Sequence, residues 1–294
     1  MVVNYEASFG FVERPFSLTP DPKYFFKSRS HGRAIETLTF GLRRRERFLL
    51  VTGDLGVGKT VLCRTLLGQI RRRGPVSFIR NPLLTPAGLF RLLLEDFAAL
   101  SDNEGGLERM NEASPAELGE LLAGFVRGLA PTRETGIIVV DEAHALPPVM
   151  VEQILSLAAL EPEGEPVLQF VLIGQSAAGE SGALGIRALD ERVTTNARLL
   201  PLGRDECADY VAHRLSVAGA GATRLFSSKA IDALYAISGG TPRLVNLLCE
   251  RALQEAAARG ARTVEPQMID AAVSDLDLLR ARPRRFRWFS KRVS

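Results

Sequence analysis

The sequence predicts an α/β fold: a parallel sheet with helices on both faces, followed by a small all-helical domain. Three observations carry this reading. Up to about residue 203, short apolar β-like runs alternate with segments of helical period, the order that a parallel sheet with crossover helices needs. One run, Ile137–Val140, shows no polar alternation, as expected of a central strand buried on both faces. From Arg204 onward the β-like runs stop and helical periods alone remain, broken by Gly, Pro and Ser.

Taken in order, Phe48–Val51, Ser77–Ile79, Ile137–Val140, Leu168–Ile173 and Leu199–Leu202 read as strands. The later helices fall at 204–219, 227–238, 242–259 and 265–276. The domain reading is therefore 1–46 as an N-terminal segment and leading helix, 47–203 as the α/β domain, 204–277 as the helical domain and 278–294 as a tail. Ser101–Ser114, with Asp102, Glu104, Gly105 and Gly106, reads as a mobile loop.

At 294 residues and 46% hydrophobic content the chain can bury a sizeable core. No apolar run approaches the ~20 residues that cross a bilayer; the longest are Gly136–Val140 and Val167–Gly174. Met1–Ser8 does not resemble a secretory signal, so a cytoplasmic location is expected. Cys63, Cys207 and Cys249 lie far apart in apolar helical patterns, which predicts buried, reduced thiols and no zinc site. The net charge of +3 is unevenly placed: seven basic and no acidic residues lie between Arg280 and Ser294, leaving the remainder net negative. With Phe286, Trp288 and Phe289 among those cations, the tail suits an anionic surface, either nucleic acid or lipid headgroups. The 32 arginines against five lysines read as a compositional bias rather than a binding surface.

Gly53, Asp54, Leu55, Gly56, Val57, Gly58, Lys59 and Thr60 satisfy G-x-x-x-x-G-K-[ST], directly after a β-like run and before a helical segment opened by Val61. The glycines let the backbone curl so that N–H groups point at phosphate. Lys59 then reaches the β- and γ-oxygens, and Thr60 ligates Mg²⁺. Ile137–Val140 ends in Asp141 and Glu142, two carboxylates with separate jobs: Asp141 to hold Mg²⁺ and Glu142 to polarise the attacking water. This constellation implies that the α/β domain is a P-loop NTPase that hydrolyses as well as binds. His144 completes Asp-Glu-Ala-His but reads as local packing, because one sheet cannot supply the second motor domain of a helicase. Charge on the γ-oxygens also needs arginine. Arg192, before the last strand, reads as a finger for a neighbouring subunit's nucleotide, with Arg187 and Arg198 as rivals. Arg243, opening the third helix of the small domain, can fold over the nucleotide. Gln175, just beyond the fourth run, can orient the lytic water. No Asn-Lys-x-Asp motif selects guanine, so ATP is expected.

Further residues add a resemblance: Phe9-Gly10-Phe11, Pro15-Phe16-Ser17-Leu18-Thr19-Pro20-Asp21-Pro22, Ser30-His31, Gly41-Leu42, Leu172-Ile173-Gly174-Gln175, and the segment Gly240-Thr-Pro-Arg243-Leu-Val-Asn246-Leu-Leu-Cys249-Glu-Arg251. With both phosphate motifs, they resemble the general secretion pathway protein A (ExeA-like) ATPases of the AAA+ class and their exosortase-associated and TniB-type transposition relatives. The resemblance spans residues 9 to about 276. It implies an AAA+ core with a helical lid, ATP with Mg²⁺, and a homo-oligomer, ring or filament, that shares active sites. It implies Gln175 as first sensor, Arg243 as second, and Asn81 as a polar switch on Glu142. Relatives that serve envelope secretion often continue into a membrane helix and a peptidoglycan-binding domain. Here the chain stops after its tail, so the expected membrane link is peripheral, at the inner membrane or through an envelope-machinery partner. The leading expectation is an ATPase energising secretion or envelope-polysaccharide export and assembly. The alternative is an ATP-dependent DNA-binding regulator of transposition, and a third is a nucleotide switch without appreciable turnover.

Overall fold

The computed structural model describes residues 5–70, 74–98, 110, 113–131, 134–160, 166–175, 192–219 and 225–276. In chain order the elements are α1 (Tyr5–Phe9), α2 (Arg29–Arg43), β1 (Phe48–Gly53), α3 (Lys59–Ile70), β2 (Val76–Ile79), α4 (Pro86–Ala98), α5 (Pro115–Leu129), β3 (Gly136–Val140), α6 (Pro148–Ala158), β4 (Leu168–Gly174), β5 (Val193–Leu199), α7 (Arg204–Val217), α8 (Ser228–Ser238), α9 (Pro242–Ala258) and α10 (Pro266–Asp275). The described residues form two compact units, one within 27–200 and one made of 5–26 with those from 201 to 276.

The first unit is a five-stranded sheet in the order β2-β3-β4-β1-β5, with every pairing parallel. Its burial follows that order. β3 and β4, inside the sheet, are buried at every position, whereas the edge strands β2 and β5 alternate. Phe48 of β1 stacks on Phe170 of β4 with centroids 5.3 Å apart, and the aliphatic residues of α4, α5 and α6 complete the core on that side. On β5 lies α2, brought close by Gly41: a methyl group there would sit 2.8 Å from both Leu49 Cδ2 and Thr195 Oγ1.

Two differences from the sequence reading emerge. The last strand is Val193–Leu199, not Leu199–Leu202. As an edge strand it exposes Thr194, Asn196 and Arg198 on one face, and a polar, alternating run carries little apolar signal. Pro201, lacking an N–H, cannot continue the ladder beyond it. Residues 1–46 also do not stay together, since the chain divides at residue 26.

The second unit shows why. Its core joins Tyr5, Phe11 and Phe16 to Cys207, Leu215, Leu234, Leu248, Cys249 and Ile269 of α7 to α10. Arg214, only 5% exposed, donates through Nε to Pro15 O, through Nη2 to Ser17 O at 3.1 Å and through Nη1 to Tyr210 Oη at 3.0 Å. Its guanidinium also lies 4.4 Å from the Tyr24 ring centroid. Tyr210 in turn donates to Asn246 Oδ1 at 2.9 Å, and Tyr5 donates to Glu250 Oε2 at 2.6 Å. The Pro-Phe-Ser segment is thus a buried strap of the helical unit. The helix of Gly240-Thr-Pro-Arg243 also has a structural cause: Gly240 has φ +74°, and a Cβ there would strike Leu202 O at 1.9 Å, so only glycine fits. The basic tail, Arg187 and most of Ser101–Ser114 lie outside the described residues.

Candidate functional site

The strand order places the site. β1 sits between β4 and β5, while β2 lies at the far edge, so the chain leaving β1 turns away from its sequence neighbour. A ligand-binding crevice is expected at the carboxyl end of a strand with that reversal. Gly53–Thr60 leaves β1 at that end and feeds directly into α3. Gly56 and Gly58 have φ of +80° and +101°, values that side-chain-bearing residues rarely take, so the curl of the loop depends on them. Val57 is fully buried and anchors the loop, while Asp54 and Leu55 face solvent.

Lys59 is 7% exposed, and its Nζ donates to Gly53 O at 2.8 Å and Asp54 O at 2.9 Å. Burial pushes its ammonium below the usual lysine range; the carboxylates of Glu142, Asp141 and Asp54 oppose that shift. Thr60 Oγ1 donates to Asp141 Oδ2 at 2.9 Å. Because β4 separates β1 from β3, their backbones lie about 9.5 Å apart. The start of α3 and the tip of β3 close that gap through side chains. Thr60 and Asp141 present two hard oxygens together, the donor type Mg²⁺ takes. Among the described residues no group of three His, Cys, Asp or Glu could hold a metal by itself.

Glu142 adopts a left-handed conformation, φ 51° and ψ 38°, uncommon for a non-glycine residue. It opens a 3-10 turn at Ala143–Ala145, closed by Ala145 N donating to Glu142 O at 2.8 Å. The Asp141 side chain supports the bend by accepting from Glu142 N at 3.0 Å. The turn folds His144 back, bringing its Nδ1 to 3.3 Å from Glu142 Oε2.

The remaining sequence candidates are spread out. Gln175 follows β4 directly and is partly buried; because Gly174 pairs with Thr52, it stands beside the start of the phosphate loop. Arg198, exposed on β5, pairs in register with Thr52 at the same end of the sheet. Arg192, also exposed, lies at the opposite end, one residue before Val193, which pairs with Phe48. Arg243 is exposed in the first turn of α9 in the helical unit. Asn81 is exposed, and its Oδ1 accepts from Leu83 N at 3.0 Å, closing its own turn. One residue without a role in the sequence reading is His31. It is buried, it shares a 2.7 Å hydrogen bond with Ser28 Oγ through Nδ1, and a methyl group on Gly58 would sit 3.0 Å from its Nε2. The Ser28-x-x-His31 helix-cap spacing was the available signal.

A parallel sheet of this order, with a phosphate loop on β1 and paired acids ending β3, defines a P-loop NTPase of the AAA+ class. Residues 42–180 match the AAA domain family. The chain is ExeA-like over almost its whole length: it is 36% identical over 277 residues to General secretion pathway protein A of Aeromonas hydrophila, which covers 94% of this chain and 49% of that protein. It thus spans about half the length of that relative. Among solved structures, the ORC2 protein of Aeropyrum pernix in ADPNP and ADP complexes superposes with a TM-score of 0.66 at 14% identity, covering 90% of this chain and 72% of that one. The ORC1 protein of Aeropyrum pernix in complex with DNA gives 0.64 at 20% identity, covering 93% and 73%. At such identities these two establish the AAA+ fold alone. Among the described residues no helix is long and apolar enough to cross a membrane.

Proposed function

We propose that the chain binds ATP with Mg²⁺, hydrolyses it, and uses the cycle to energise an envelope secretion or polysaccharide-export and assembly system. The observation that carries the catalytic half is the Thr60–Asp141 hydrogen bond of 2.9 Å, which sets the phosphate loop and the acid pair side by side. Backbone N–H groups of residues 53–58 and the N-terminus of α3 receive the phosphates. Lys59, desolvated in the loop, meets the β- and γ-oxygens. Thr60 and Asp141 would hold Mg²⁺, which when bound neutralises charge growing on the phosphate oxygens. Glu142 draws the proton from the attacking water, and Gln175 orients that water. Arg243 reports the nucleotide state from the helical unit, and Arg192 serves a neighbouring subunit of a homo-oligomer. The lack of an Asn-Lys-x-Asp motif favours adenine. Similarity to a general secretion pathway protein supports the envelope client, and the basic-aromatic sequence of the tail supports an anionic membrane surface.

Phosphate release from ATP with and without Mg²⁺ tests the reading. The wild type should turn over only with the metal. Glu142→Gln should bind labelled ATP as tightly while turning it over about 10²- to 10⁴-fold more slowly. Unchanged turnover in Glu142→Gln would instead support a passive nucleotide switch. An ATP-dependent, salt-sensitive shift of duplex DNA would move the client toward the DNA reading, to which the DNA-bound ORC1 neighbour lends only its fold.

A further inference from the structure

We infer that His144 is the residue that positions Glu142 for catalysis, holding one carboxylate oxygen so that the other faces the attacking water. This rests on the hydrolytic reading of Glu142. The resemblance alone would give the restraint of that glutamate to Asn81, yet Asn81 closes its own turn through Leu83. The contact that Glu142 makes comes from two residues along the chain.

Four features of the β3 tip support the assignment. Glu142 keeps a left-handed backbone, which side-chain-bearing residues adopt at an energetic disadvantage, and such strain persists where the surroundings enforce it. The enforcing contacts are the Asp141 carboxylate on Glu142 N and the 3-10 turn that follows. That turn carries His144 back over Glu142, with Nδ1 3.3 Å from Oε2. The two side chains then differ in exposure as anchor and working group should: His144 is 19% exposed and Glu142 43%.

The geometry of the contact points the same way. Nδ1 of His144 is sealed from solvent and has no hydrogen-bond partner among the described residues. Glu142 Oε2, at 3.3 Å, lies within reach of it, and contacts at catalytic groups that are loose without substrate tighten when substrate binds. The Glu142 carboxylate is near enough to the phosphate loop to act on the Lys59 charge, as Asp141 and Asp54 also do. A histidine donating to Oε2 leaves Oε1 to accept from water. His144 touches neither phosphate nor water in this arrangement and acts through Glu142 alone.

The test compares His144→Ala with His144→Asn, whose side-chain amide places a donor near the position of Nδ1. Steady-state ATP hydrolysis by the full chain should show kcat reduced about 10- to 100-fold in His144→Ala with KM and labelled-ATP affinity unchanged. His144→Asn should recover most of the loss. Equal loss in both variants, or a loss that appears in KM and nucleotide affinity, would reduce His144 to a packing residue and overturn the inference. So would wild-type kcat, or a raised kcat, in His144→Ala. If the wild type itself binds ATP but does not turn it over, the hydrolytic reading fails first, and with it the role given to His144. Melting temperatures of both variants separate a folding defect from a catalytic one.

Discussion

Individual buried groups set how this protein responds to alkali. Cys63, Cys207 and Cys249 are each at most 1% exposed and free of disulfides. Burial raises all three thiols, Cys207 to about 11. The Tyr5, Tyr24 and Tyr210 phenols are raised as well, burial again being the first cause. A group whose native pKa is raised keeps its proton in the fold after the unfolded chain has released it. The associated stability is intact below the ordinary thiol value of 9.0 and is lost as pH climbs past it, with the phenols following beyond 10.0. Lys59 runs the other way: its depressed ammonium penalises the fold at neutral pH, and the penalty fades as pH rises. One lysine stands against six acids, so the acids prevail. The urea midpoint should hold from pH 7 to about 8.5 and fall steadily from about 9 to 11, each buried thiol contributing about 1.4 kcal/mol per pH unit beyond its unfolded pKa. A midpoint that rises or stays level through pH 10 would contradict this burial. In the native protein at pH 8 a disulfide reagent should label none of the thiols, and in denaturant all three.

At the scale of elements, legibility followed burial. β1 to β4 read from the sequence to within about two residues, because strands covered on both faces must be continuous apolar runs. The four helices of the small unit read equally well from Gly and Pro punctuation such as Gly239-Gly240 and Pro242. β5 was displaced because its solvent face is Thr, Asn and Arg. The phosphate loop and acid pair were legible because their chemistry needs fixed spacings. The Thr60–Asp141 closure joins residues 81 positions apart, and it depends on the strand order and on side chains that bridge the intervening β4, neither of which the sequence displays. The strap of Pro15 to Ser17 was hidden for a different reason: Arg214 holds it through main-chain carbonyls, which carry no side-chain signature. Arg214→Leu should therefore destabilise the helical unit by about 2–4 kcal/mol, since it strands the buried Pro15 carbonyl, the half-buried Ser17 carbonyl and the Tyr210 hydroxyl without their donor. Denaturant melts would show that loss, and limited proteolysis should cut earlier within residues 5–26. Wild-type stability in Arg214→Leu would mean that the strap is held by Phe11 and Phe16 packing alone.

For the whole molecule, the sheet itself dictates how Arg192 must work if it serves the nucleotide. β5 rises from Val193, paired with Phe48, to Leu199, paired with Gly53. Seven residues at about 3.3 Å each separate Arg192 from the phosphate-loop end by roughly 20 Å. An arginine side chain does not span that distance, so Arg192 cannot reach the site of its own α/β unit. On the proposed reading it would serve the next subunit's site in a ring or filament, where an arginine finger contributes about 10³-fold or more to turnover. Arg192→Ala should then bind ATP normally and hydrolyse it poorly. Glu142→Gln should also be inactive while keeping a sound finger. Mixing the two creates junctions in which the Arg192→Ala subunit offers an intact Glu142 site and its Glu142→Gln neighbour supplies the arginine. ATPase activity should reappear on mixing, peak near equal proportions and fall on dilution below the assembly concentration. Two inactive proteins that stay inactive at every ratio, while still co-assembling by light scattering, would remove Arg192 from the shared site. Arg198, which stands at the phosphate-loop end of the same strand, would then be the arginine to substitute.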